Sequence, residues 1–403
     1  MEKESKEKRR EVSMAMAADW STLHKDLLLL ISSRLDNEAD IIRFRSVCST
    51  WRFFIPNHSL PFKLPHFHTS SLSCYLSKHN IFLIKPPQQE QQQTLRPWLI
   101  RIAKNSCRET QLFHPLRSVD SSPYHFPHVL DLKKFSVVRL GADVVMGRYN
   151  EDKTVLERSK ELLSQFELYQ LKIHRQDPTP LGHGMGKKVV AIMQHGKNKE
   201  TVALGTLNQN GHPVLFHCSE KHWTLIPCMS TYFLDICVFK ERFYAVNKIG
   251  RTVAFGLDYS VELVAEYVNG GDMKFLVECE GELLLVDICD SHCFGFPGEK
   301  GLKLKVFRLN ERKKEWRSKS LGNRVLFLGN GCSFSASASD LSVVKGNCVV
   351  FIDDAFIPFD NMRCGMCVFD LDEQRLSPLS HYPDYFNLFW PPPEWILETQ
   401  YHS

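Results

Sequence analysis

The longest purely apolar run in this sequence is LLLLI at 27–31, far short of the roughly 20 residues that a membrane-crossing helix needs. A secretory leader is not expected either. The opening MEKESKEKRR is charged, and MAMAA (14–18) is too short for an apolar leader core. Net charge is small, +4 over 403 residues, and lacks the concentrated basic footprint that nucleic-acid binding requires. Catalytic signatures are equally scarce. Neither a GxSxG elbow nor a Ser–His–Asp pattern is present. GHGMGKK (182–188) imitates a phosphate loop, but Leu181 stands where the first glycine belongs and Lys188 where the magnesium-holding hydroxyl belongs. It reads as a flexible loop before the strand VVAIM. These absences argue against a membrane span, a nucleic-acid binder, a P-loop nucleotidase and a serine hydrolase.

Cysteine is not scarce, but its pattern is uninformative. The 13 cysteines are scattered and odd in number. They are expected to be reduced in the nucleus or cytoplasm and to act mostly as small buried apolar side chains. Cys364 with Cys367, and Cys289 with His292 and Cys293, supply zinc-type ligands, yet the two groups lie some 75 residues apart without paired spacing. No metal and no cofactor are expected. Asp353 with Asp354, and Asp287 with Asp290, follow apolar strands, where polar turn residues belong, rather than forming an acid/base pair. The histidines are densest within 58–128, a stretch that looks exposed.

What is present is a soluble mix, 43% apolar and 24% charged, long enough for two or three domains or one large β architecture. Residues 1–18 read as a disordered tail. Residues 19–58 carry two helical patterns. Asp19 or Ser21 can cap the first, with Leu23, Leu27, Leu30, Ile31 and Leu35 at helical spacing; Asp40 can cap the second, with Ile41, Phe44, Val47, Cys48 and Trp51. Because 27–31 is apolar consecutively, this helix must be covered on more than one side. So short a module needs a partner, or the rest of the chain, to complete it. Residues 59–97, ending in KPPQQEQQQ (85–93), read as a linker with an exposed insertion.

From 98 to 403 the pattern is β, with short apolar segments separated by turn residues. One stretch, 154–169, suits a helix. A weak repeat runs through the region. AFGLD (254–258), VFRLN (306–310) and VFDLD (368–372) recur after 52 and 62 residues. Each follows a hairpin: KERFYAV (240–246), EGELLLV (280–286) and KGNCVVF (345–351). Such units predict a β-propeller of about six or seven blades. A pair of β-sandwiches would also accommodate the irregular period. The aromatic end YFNLFWPPPEW (385–395) is expected to pack on the propeller and close its ring.

The stretch 20–52, WSTLHKDLLLLISSRLDNEADIIRFRSVCSTWR, resembles the F-box in the form found in a large plant family. The shared points are Leu23, Leu27–Leu28, Ile31, Arg34–Leu35, Asp40, the block from Arg43 to Cys48, and Trp51–Arg52. The usual proline after the first leucine is His24 here, which is expected to weaken the entry to the first helix. LGNRVLFLGNGCSFSASA (321–338), WPPPEW (390–395) and FHPL (113–116) resemble landmarks of plant F-box proteins with a C-terminal propeller, kelch-like in outline. The resemblance implies a non-catalytic substrate-recognition subunit of an SCF-type ubiquitin ligase. Its F-box would bind a Skp-family adaptor and, through it, a cullin; its propeller would bind a protein substrate. The adaptor-binding residues implied are Leu23, Leu27, Leu28, Ile31, Leu35, Ile42, Val47 and Trp51, with contact residues and internal core not separated. A propeller enzyme and a non-ligase scaffold remain the alternatives.

Overall fold

The computed structural model describes residues 20–32, 34–35, 43–54, 62–64, 74–86, 95–104, 110–117, 123–124, 130, 135–148, 188–193, 201–205, 213–217, 222–226, 233–268, 270–271, 273–289, 302–329, 332–352, 366–389 and 391–401. The chain divides into two units, Met1–Ser59 and Leu60–Ser403. The first holds a 3-10 turn, Trp20–Thr22, and helices Lys25–Ser32 (α1) and Ser49–Phe54 (α2). The second is a β-propeller of five blades.

Blade 1 contains Cys74–Lys85 (β2), Trp98–Lys104 (β3), Thr110–Phe113 (β4) and Ser136–Arg148 (β5), with Phe62–Leu64 (β1) paired to β2. Blade 2 contains Val189–Met193 (β6), Thr201–Gly205 (β7), Val214–His217 (β8) and His222–Leu225 (β9). Blade 3 contains Phe233–Phe239 (β10), Arg242–Asn247 (β11), Thr252–Phe255 (β12) and Val261–Ala265 (β13). Blade 4 contains Met273–Cys279 (β14), Glu282–Cys289 (β15), Lys303–Asn310 (β16) and Glu315–Ser318 (β17). Blade 5 contains Arg324–Leu328 (β18), Ser333–Ser337 (β19), Cys348–Ile352 (β20), Met366–Asp370 (β21) and Arg375–Pro378 (β22). Strand order in the first blade is β4-β3-β2-β5, and in the last β19-β18-β20-β21-β22, where β18 and β20 run parallel.

The inner strands β5, β6, β10, β14 and β19 neighbour one another in turn, and β19 returns to β5. At that closure Gly141 allows a close approach: a Cβ there would lie 3.2 Å from the Cβ of Phe334, which would have to give way by a few tenths of an ångström. Apolar layers between blades form the core. Val202, Leu204 and Leu215 of blade 2 meet Phe243 and Phe255 of blade 3. Val286 and Leu304 of blade 4 meet Leu326 and Phe351 of blade 5. Burying one such side chain contributes about 1.5–3 kcal/mol.

The repeat falls on equivalent positions. AFGLD, VFRLN and VFDLD lie on the third strand of blade 3, the third strand of blade 4 and β21 of blade 5, and run into the turn that follows. Their phenylalanines pair across to Phe243, Leu285 and Val349. The expected blade count was too high, because length was converted to blades at a uniform period. The described blades are unevenly spaced along the chain, with 149–187 and 290–301 outside the described residues, and a non-blade tail follows β22. The propeller also begins earlier than expected: β1 and β2 lie within the presumed linker. CYLSKHNIFLIK mixes polar and apolar residues, and Ser77, His79 and Asn80 are nevertheless buried. Most of KPPQQEQQQ, and the helical stretch 154–169, lie outside the described residues.

The tail packs on blades 1 and 5. Leu99 N–H donates to Leu388 O at 2.7 Å, and Arg96 donates to Asn387 O and Pro391 O. Glu394–Tyr401 (α5) seats Trp395 and Ile396 against Phe82, Trp98 and Phe135. Two shorter helices are Ala338–Leu341 (α3) and Pro383–Phe386 (α4).

Candidate functional site

In the first unit, α1 begins where His24 ends the preceding turn. The carbonyl of His24 accepts from the N–H groups of Leu27 and Leu28, at 3.0 and 3.1 Å, and its Nδ1 accepts from Asp26 N–H at 3.4 Å. An imidazole therefore stands at the helix cap, at the position where the motif usually has proline. Ser21 lies in the 3-10 turn, and Asp19 lies outside the described residues.

Leu28 is fully buried and Trp51 nearly so, with Leu23, Phe44, Cys48 and Phe54 packed against them. The Trp51 Nε1–H donates to Trp20 O at 2.9 Å, which satisfies the indole's only polar atom. Its ring lies 4.3 Å from that of Phe44 at 51°. Around this small core several apolar residues face outward. Leu27 is 49% exposed, Leu30 54%, Ile31 39% and Val47 54%.

The eight residues singled out from the sequence thus separate. Leu28 and Trp51 are internal and Leu23 is half-buried against them. Leu27, Ile31 and Val47 are exposed, Leu35 is half-buried, and Ile42 lies outside the described residues. Leu30 and the exposed Trp20 and Phe53 belong to the same surface inventory and were not singled out. The signal for Leu30 was available: Leu27, Leu30 and Ile31 form an i, i+3, i+4 set, and Leu28 lies outside it.

In the propeller, two buried lysines near the inner strands are each paired with an aspartate. Lys188 donates to Asp235, whose other oxygen accepts from Leu276 N–H at 2.8 Å, joining β10 to β14. Burial works to lower the Lys188 pKa, but the Asp235 carboxylate and its hydrogen bond raise it above the ordinary lysine value. Lys188 belongs to the loop first compared with a phosphate loop, and here it is a tether. Lys274 pairs with Asp287, both almost fully buried, and Asp287 also accepts from Gly271 N–H at 3.0 Å. Asp287 is therefore an internal strand residue and not the turn residue expected.

Two histidines from the stretch that looked exposed are buried in blade 1. Burial first, and then Arg101, lowers His79 to about 3. Burial, then Arg117 and Arg101, lowers His114 to about 3. His114 Nδ1 accepts Leu116 N–H at 3.1 Å, which requires the unprotonated nitrogen. Among the described residues no three of His, Cys, Asp and Glu come together as a metal site. Cys364, His292, Cys293, Asp353 and Asp354 lie outside them.

Comparison with known proteins agrees with this architecture. The KIB1-4 beta-propeller family model matches residues 62–370, from β1 to β21. The chain belongs to the KIB1-4 β-propeller family. Relatives of this family member include F-box protein SKIP23 of Arabidopsis thaliana, 35% identical over 416 residues, covering 94% of this chain and 95% of the relative. F-box protein At2g17036 of the same plant is 33% identical over 420 residues, with 94% and 95% covered. F-box/kelch-repeat protein At1g64840, also from Arabidopsis thaliana, is 27% identical over 369 residues, with 84% and 85% covered.

Proposed function

We propose that this KIB1-4 family chain is the substrate-recognition subunit of an SCF-type ubiquitin ligase, with no catalytic step of its own. In this reading the face carrying Leu27, Leu30 and Ile31, with Val47, binds a Skp-family adaptor that leads to a cullin. The propeller holds a target protein for ubiquitination in the nucleus or cytoplasm. One observation carries the reading. The regular apolar stripe of α1, the stripe a helix normally packs inward, is 39–54% exposed, while Leu28 on the flanking face makes the internal core. Such a stripe marks a surface that another protein covers. The F-box names of the relatives support the identity of that partner.

The test is reconstitution. Full-length protein is mixed with a plant Skp-family adaptor, cullin, RING subunit and charged conjugating enzyme. Ubiquitin transfer to a co-purified target is then followed with wild type and with Leu27→Asp. The reading expects transfer that depends on the adaptor and falls on substitution. Failure of wild type to enter the ligase assembly would remove it.

A further inference from the structure

We infer that the rim where blades 3 and 4 meet is a docking surface for an acidic segment of a partner protein that carries apolar residues. The inference deepens the receptor reading and rests on it. Three loops are tied together there by backbone groups. The turn between β11 and β12 is bonded to the blade linker, with Val268 N–H donating to Ile249 O at 2.9 Å. The linker is bonded to the turn between β16 and β17, with Glu266 N–H donating to Lys314 O at 2.9 Å. Trp316 Nε1–H from β17 returns to Gly250 O at 3.1 Å. Gly250 has φ +83°, and a Cβ there would lie 2.9 Å from Val268 N, so the close approach depends on that glycine.

This braced platform presents two large apolar residues to solvent, Ile249 at 57% and Tyr267 at 62% exposed. They stand on loops that hydrogen-bond to one another, whereas scattered single apolar residues would need no explanation. The loops also concentrate positive charge: Arg251, Arg312, Lys313 and Lys314 are all exposed. Among the described residues none of these four is in salt-bridge contact with a carboxylate. The carboxylates on the same loops are Glu266 and Glu311, and Glu311 accepts from the Tyr244 hydroxyl at 3.3 Å. An aromatic and an aliphatic anchor inside a net positive rim complement a segment that alternates acidic and apolar side chains. The bracing means little ordering entropy is lost when the segment docks.

The test uses the full chain and a fluorescein-labelled peptide of alternating Asp and Leu, read by fluorescence polarisation. A peptide of alternating Lys and Leu, a uridine RNA oligomer and phosphatidylserine vesicles serve as competing probes. We expect the acidic peptide to bind and high salt to weaken it. Tyr267→Ala, and separately Lys313→Glu with Lys314→Glu, should each reduce affinity on the order of tenfold. These residues are exposed, so a thermal melt should leave the fold intact, and adaptor binding by the same variants should be unchanged. Equal binding of the acidic and basic peptides, preference for RNA or vesicles, or variants that bind like wild type would each overturn the inference. Loss of adaptor binding in wild type with peptide binding retained would instead sink the ligase reading and leave this surface standing.

Discussion

At the scale of single residues, buried charge and buried imidazole set the most direct expectations. Lys274 and Asp287 are almost fully buried against one another, so removing one partner strands the other. Lys274→Met should cost about 3–5 kcal/mol, while Lys274→Met with Asp287→Leu should recover much of it. Urea unfolding of the two single variants and the double gives the cycle; a double-variant loss equal to the sum of the two single losses would show that the pair is not coupled. His79 and His114 give a pH dependence with a definite sign. Unfolded, each takes up its proton near 6.5; in blade 1 each resists until about 3. The unfolded state binds more protons between those values, so stability is full above 6.5 and is lost as pH falls toward 3. Each histidine adds up to about 1.4 kcal/mol per pH unit to that loss. His79→Phe should flatten the fall in urea midpoint between pH 6.5 and 5, and an unchanged slope would contradict the assignment. None of this could be read from the sequence. Nothing along the chain says that Asp287 meets Lys274, or that a His-rich stretch folds inward, because both follow from pairing between strands.

At the scale of elements, the hairpins were the most legible feature. EGELLLV and KERFYAV were recognised because short apolar strands flank polar turn residues, and both are two-residue turns. Glu280 and Gly281 have φ of 53° and 74°, and Lys240 and Glu241 have 46° and 58°. A turn with both central residues left-handed matches the twist of the strands, but it strains any residue with a Cβ. Glu241→Gly should therefore stabilise the protein by about 0.5–1 kcal/mol, seen as a higher urea midpoint at unchanged slope. A lower midpoint would show that the Glu241 side chain contributes more than its backbone costs. Helix α1 was legible in a different way. Its all-round apolar run demanded cover on more than one side, and the structure divides that run into a buried Leu28 and an exposed stripe. The division itself was not legible, since it depends on where Trp51 of a separate helix packs. β2 was missed for the opposite reason: its polar residues are buried by neighbours far away in the sequence.

At the scale of the whole molecule, the repeat placed the propeller, and the uneven connections hid its blade number. The tail was expected to close the ring by joining the chain ends. It does bridge blades 1 and 5, through helices and loop rather than an added strand. Leu388, Phe389 and Tyr385 enter the core shared by those blades, and Trp395 and Ile396 cover the side of blade 1. Deleting residues 384–403 should thus give insoluble protein, whereas deleting residues 1–59 should leave a soluble chain with a cooperative melt. The reverse result would refute an autonomous propeller. The central claim is that the exposed stripe of α1 is the adaptor's seat. It is tested most directly by titrating a Skp-family adaptor into the full-length chain by calorimetry, comparing wild type with Ile31→Asp. The account predicts saturable one-to-one binding by wild type, and loss of at least about tenfold in affinity for Ile31→Asp with an unchanged melt of the propeller. Equal binding by the two proteins would contradict it.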